Sequence, residues 1–179
     1  VVKHFLFITF FALVFSGCSV SIKETYDKQV DFSQYKTFCW MAGCEFKFNG
    51  PEYLQDSLLQ DRIKSAIVDE LTRKGLTLNT DNPDLLVGFT ITVKDEQAIV
   101  YHRAEDSPFF IKPLALDREV INYLKGSLII GMADAKESRM VWQSHVSAYM
   151  ELEPDLSEAN IRKGIKQALK NYPPKTDQH

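Results

Sequence analysis

Three cysteines and four histidines are the side chains in this sequence best suited to thiol, metal or proton-transfer chemistry. Cys39 and Cys44 are close enough in the chain for a disulfide to close a small loop over residues 41–43, between two short strands. Two unpaired thiols are the second reading of that pair. A metal site is the third, and it needs further ligands. Beyond His4 the sequence offers His102, His145 and His179, none close to another. His102 falls in an irregular, exposed-looking stretch. His145 alternates with Gln143 and Ser147, opposite Trp142 and Val146, which is a solvated position rather than a catalytic one. There is no Gly-x-Ser-x-Gly and no glycine-rich phosphate loop. The carboxylates are scattered as on solvated faces. The expectation is a non-enzymatic protein with no catalytic residues, no metal and no cofactor.

The third cysteine stands in a different context. Lys3 and His4 precede an apolar run, Phe5 to Phe15, interrupted only by Thr9. The run is shorter than the roughly 20 residues needed to cross a bilayer, and it has the length and flanks of a secretory signal. It ends in Phe15-Ser16-Gly17-Cys18. That sequence resembles the lipobox of bacterial lipoproteins: a bulky apolar residue, two small ones that let a peptidase approach the backbone, then the cysteine whose thiol is lipidated. The resemblance implies cleavage between Gly17 and Cys18 and an anchor of three acyl chains on Cys18. One chain alone holds a protein only marginally, at about 0.8 kcal/mol per buried methylene, whereas several hold it stably. Ser19, where an aspartate usually means inner-membrane retention, implies an outer-membrane address facing the periplasm. Val1 in place of methionine leaves two origins: a start further upstream or a non-standard start codon read literally.

Residues 18–179 must then supply the fold, and their size suits one domain with a real core. Val20 and Ile22 alternate with polar neighbours as in a strand, and Tyr35 to Trp40 is rich in strand formers. Pro51 suits the first turn of a helix in which Leu59, Ile63, Ile67 and Leu71 recur every four residues, supported by Leu54, Leu58 and Ala66. Lys74-Gly75 ends that helix with a left-handed cap. Val87, Phe89, Ile91 and Val93 face one way along a half-buried strand. Residues 97–117 read as less regular, with Ser107-Pro108 and Lys112-Pro113 marking a loop whose Phe109 and Phe110 form a candidate docking surface. Leu124 to Met132 and Met140 to Met150 read as an antiparallel hairpin around a turn at residues 134–138. Asp155 and Glu158 are placed as N-cap and reciprocal partner of a last helix, whose stripe is Ile161, Ile165, Ala168, Leu169 and Tyr172. The order of elements predicts an α+β fold, a mainly antiparallel sheet with two amphipathic helices on one face.

Several stretches together resemble one family of bacterial lipoproteins, domain of unknown function 4136. They are Asp31-Phe32-Ser33-Gln34-Tyr35-Lys36-Thr37-Phe38-Cys39-Trp40, Asp61-Arg62-Ile63 leading to Leu71-Thr72-Arg73-Lys74-Gly75-Leu76, and Pro83-Asp84-Leu85-Leu86-Val87. Gly126-Ser127-Leu128-Ile129-Ile130, Met140-Val141-Trp142 and Tyr172-Pro173-Pro174 complete the set. Gly131 departs from the aspartate often found there, and Gln143-Ser144-His145 departs from a basic-then-glycine step, so no shared polar site is carried over. The family has no established activity. The resemblance implies a fold and an envelope location.

Without residues 1–17 the chain loses one base, Lys3, and no acid, so its net charge moves from −3 to −4. Such a domain has no electrostatic reason to seek nucleic acid or an anionic lipid surface. The first expectation is therefore a structural or interaction module of the cell envelope, held at the membrane by its lipid and meeting an envelope protein partner. The alternative is an accessory protein of envelope transport that binds a lipid or small apolar ligand between helices and sheet.

Overall fold

The structure, a computed structural model, describes residues 20–41, 46–103 and 116–175, without the side chains of residues 102, 103, 116 and 117. Cys18, Cys44, His179 and the Phe109-Phe110 loop lie outside the described residues, as does the side chain of His102. Among the described residues no helix is long and apolar enough to cross a membrane.

In chain order the elements are β1 (Ser21–Tyr26), β2 (Thr37–Trp40), β3 (Phe46–Asn49), α1 (Ser57–Arg73), β4 (Thr77–Leu78), β5 (Leu85–Arg103), β6 (Leu116–Asp134), β7 (Arg139–Met150) and α2 (Glu158–Ala168). The sheet runs β1-β7-β6-β5-β2-β4, and β3 also pairs with β5. This is an α+β fold, but the sheet is mixed. β1 with β7, β7 with β6, and β6 with β5 are antiparallel, whereas β2 and β3 lie parallel to β5 and β4 lies parallel to β2. The long ladders are antiparallel, as expected, and the short parallel pairings of β2, β3 and β4 make the sheet mixed rather than purely antiparallel. α1 separates β2 and β3 from β5, and a helical crossover brings the chain back in the same direction.

Asp84 fastens that parallel half. Its Oδ2 accepts from the Lys36 and Thr37 amides and from Thr37 Oγ1, each at 2.9 Å, while its own amide donates to Thr37 Oγ1 at 3.0 Å. The bonds fix β2 in register as Phe38 meets Leu85. The Lys36 amide, the largest influence, and the Thr37 donors hold the Asp84 carboxyl below the usual aspartate range.

Helix α1 begins later than Pro51 implies. Residues 52–54 form a 3-10 turn, and the helix starts where Asp56 caps the Leu58 amide at 2.9 Å. Leu59, Ile63, Ile67 and Leu71 are all buried, whereas Leu58 points to solvent. Gly75 follows at φ +91°, the left-handed conformation a terminal glycine tolerates. Helix α2 also starts differently. Ser157 is its cap residue, and Asp155 instead accepts from the Ser157 amide at 2.9 Å, in a turn before the helix. Its stripe packs as the periodicity requires: Ile165, Ala168, Leu169 and Tyr172 are buried and Ile161 is half-buried.

The core lies between these helices and one sheet face. Phe38, Phe89, Trp142, Ile67, Leu71 and Leu169 are almost fully enclosed. Phe32, Tyr35, Tyr172 and Trp142 join it edge-to-face, with ring centroids 5.4–6.0 Å apart. A bulge at Met132/Ala133 shifts the β6–β7 register, and both Val141 and Trp142 are buried there. Beyond Asp95, strands β5 and β6 continue as a two-stranded ribbon rather than the irregular stretch expected over residues 97–103 and 116–117. Alternation there is too weak to reveal a strand, because among the described residues nothing covers either ribbon face.

Two stability measurements follow. In the soluble domain of residues 19–179, Ile165→Asp should lose more than about 3 kcal/mol, since it removes a buried side chain and adds an unpaired charge. Lys166→Asp, on the exposed face, should melt close to the wild type; equal melting of both variants would mean that α2 is not docked. Asp84→Ala should cost about 1–3 kcal/mol at neutral pH. A depressed folded-state pKa gives stability that is present above the unfolded value and lost as pH falls through the folded one. The melting difference between wild type and Asp84→Ala should accordingly shrink below about pH 4, and a pH-independent gap would contradict the clasp.

Candidate ligand-binding groove

The two helices do not close over the whole sheet. Between them and the sheet lies a cavity of about 230 Å³, open to the surface. Its floor comes from three adjacent strands: Ile91 and Val93 on β5, Gly126 and Leu128 on β6, and Val146, Ala148 and Met150 on β7. Leu59 and Ile63 of α1 and Ile161, Gly164 and Ile165 of α2 form the roof. Phe48, Leu54, Pro154 and Leu156 close one end.

Small residues explain the gap. Gly126 and Ala148 are direct cross-strand partners on the floor. Gly164 stands within α2 between Ile161 and Ile165, where an added Cβ would meet nothing within 4 Å. Glycine inside a helix is destabilising by roughly 0.5–1 kcal/mol relative to alanine. Space is kept at this position at the expense of helix stability. At Gly126 an added Cβ would instead lie 2.6 Å from the Met150 methyl, so the flexible thioether occupies that part of the floor. On the outside, Arg162 of α2 pairs with Asp69 of α1 and donates to Glu158 at 2.9 Å. The Lys74 ammonium also donates to the Lys170 carbonyl at 3.3 Å. Both contacts hold α2 beside α1 while the groove stays beneath it.

Among the described residues Ser127 carries the only polar side chain in this lining. With no acid, base or charge among the described lining residues, the groove is suited to excluding water from hydrocarbon rather than to moving protons. An apolar cavity of roughly 150 Å³ already admits a benzene-sized guest, and drug-sized ligands occupy about 300–1,000 Å³. The size fits a compact apolar group or a segment of an alkyl chain.

Polar side chains elsewhere serve the fold. The Tyr35 hydroxyl donates to Asp134 Oδ2 at 3.0 Å, at the end of β6 away from the groove. Burial, and then that carboxylate, push its pKa up to about 12, so it is a neutral donor. Burial likewise raises Tyr172. Arg139 pairs with Asp27 and, at 2.9 Å, with Glu137, tying the chain after β1 to the start of β7. Trp142 Nε1 and Ser144 Oγ are buried without protein partners, on the same strand face as Val146.

Of the cysteines and histidines singled out by sequence, the described side chains are Cys39 on β2 and His145 on β7, two strands that are not neighbours in the sheet. Cys39 is half-buried on β2 with its sulfur 3.3 Å from the Trp40 carbonyl oxygen, and Cys44, its expected partner, is outside the described residues. His145 is exposed on β7, as its alternation indicated. Among the described residues no three His, Cys, Asp or Glu side chains cluster as metal ligands would. The groove's own residues were visible only as ordinary core positions, and the one local signal was a glycine inside the apolar stripe of α2.

No curated protein matches the sequence. Among solved structures, a PDZ domain protein from Parabacteroides distasonis is similar with a TM-score of 0.51 and 21% identity, over 88% of this chain and 36% of that one. The chain thus spans little more than a third of that protein, and the likeness shows the fold alone. The PelC dodecamer from Paraburkholderia phytofirmans aligns with a TM-score of 0.46 and 10% identity, over 84% of this chain and 94% of that one. The sequence profile of one family covers residues 22–174, nearly all of the described fold. The chain belongs to the family described as Domain of unknown function (DUF4136).

Proposed function

We propose that this protein is a periplasm-facing lipoprotein of the outer membrane, anchored through Cys18, whose domain binds an apolar ligand in the groove between helices and sheet. The anchoring part rests on Phe15-Ser16-Gly17-Cys18 after the apolar run, and the outer-membrane address on Ser19. One observation carries the binding part: an open cavity with carbon walls, bordered by a glycine in α2 where an added Cβ would meet nothing within 4 Å. The lining offers exclusion from water and no reacting group, which supports holding a ligand rather than transforming it. Of the two expectations drawn from sequence, the apolar carrier is the better supported.

Docking to an envelope protein is the second reading, and the ribbon favours it. Ile99, Tyr101, Val120 and Ile121 are exposed on β5 and β6, where no third strand among the described residues pairs with them. A two-stranded ribbon on its own is only marginally stable in water. Ile99 and Val120 are cross-strand partners, so together they present an apolar strip to any partner.

Gly164 permits a test in which stability and binding move in opposite directions. Gly164→Ala should raise stability by about 0.5–1 kcal/mol, or a melting temperature higher by about 2–4 °C for each kcal/mol gained. Gly164→Leu should fill the groove while the domain stays folded. A dansylated fatty acid titrated into the unlipidated domain should brighten with the wild type and not with Gly164→Leu. Equal brightening with both, or none with the wild type, would reject the groove as a binding site.

A further inference from the structure

We infer that the groove's occupant is an acyl chain carried by Cys18 of the same molecule. The inference rests on the proposed acylation of Cys18 and on the groove as an apolar binding site, and it adds the identity of the ligand. Strand β1 leads to the groove from outside. It pairs with β7 so that Ile22 lies opposite Val146, a floor residue. The same strand face points to the helix layer: Tyr26 packs against the core, and Glu24 accepts from Asn171, just beyond α2, at 3.0 Å. Ile22 and Val20 are each 40% exposed, an apolar pair beside an apolar groove.

Cys18 is two residues from Val20, so covalent geometry keeps its Cα within about 7 Å of Val20's. Any acyl chain on its sulfur therefore starts beside the groove. A tethered chain is present at an effective concentration set by its short linker, in the millimolar range, which a free lipid in dilute aqueous solution does not reach. The bilayer and the groove then compete for one chain. The remaining acyl groups hold the protein at the membrane while one is sheltered, and the lining, with Ser127 as its only polar side chain among the described residues, needs no head group.

The test uses the full chain, made in cells fed a fatty acid that bears a diazirine and an alkyne. The acylated protein is purified, placed in phosphatidylethanolamine vesicles and irradiated, and its crosslinked peptides are mapped. The expected result is a link from the Cys18-borne chain to peptides holding Leu128 or Ile161 of the same molecule, lost in Gly164→Leu and in Gly164→Phe and kept in Lys166→Asp. A labelled Cys18 whose chain reaches only vesicle lipid would overturn the inference and leave both the anchor and the groove standing. Absence of label on Cys18 would overturn it through the acylation reading. The dansylated fatty acid titration of the unlipidated domain would still report on the groove separately.

Discussion

The apolar stripe of α2 has to leave water, because an isolated helix of this length is marginal on its own. It packs on the sheet face already half covered by α1. Ile165, Ala168 and Leu169 seat one side of the helix among Trp142, Leu71 and their neighbours. Towards Ile161 the stripe meets Ala148 and its own Gly164, which are too small to fill the space, while Met150 covers Gly126. The same docking that completes the core therefore leaves a cavity at one end, and the rest of the arrangement depends on that uneven fit. Arg162 and Lys74, reaching across between the helices, set the spacing on the solvent side.

The fold places the two proposed apolar features at the same end of the sheet. β1 runs antiparallel to β7, so its start lies opposite Ser147, near Ala148 and Met150 on the groove floor. The β5–β6 ribbon leaves the sheet there as well, since β7 stops pairing at Leu124. At the other end, Asp84, Tyr35, Asp134 and Arg139 form polar clasps that fix strand register. The molecule divides into a polar, rigidly registered end and an apolar, open one.

Much of this was legible in the sequence where burial is one-sided. The four-residue spacing from Leu59 to Leu71 and the alternation from Val87 to Val93 identified α1 and the middle of β5, because each buries one face and wets the other. Parallel pairing was not legible. The strand residues of β2 read the same whichever direction they pair, and only the Asp84 clasp and the α1 crossover decide it. The ribbon was missed because it has no buried face to impose alternation. The helix starts were displaced because Pro51 and Asp155 satisfy turns that precede the true caps. The groove was invisible because a cavity is defined by what is missing across three elements, and Gly164 gains meaning only once Gly126 and Ala148 are known to face it.

The central claim is that an apolar space open to the surface exists beneath α2 and can take a guest. Crystals of the unlipidated domain held under xenon pressure test it directly, since apolar cavities of this size bind xenon without a specific head group. The account predicts a xenon peak bounded by Leu128, Val146 and Gly164, with α2 in the same place with and without gas. A helix settled onto the sheet with no xenon beneath it, in crystals that take up xenon elsewhere, would contradict it.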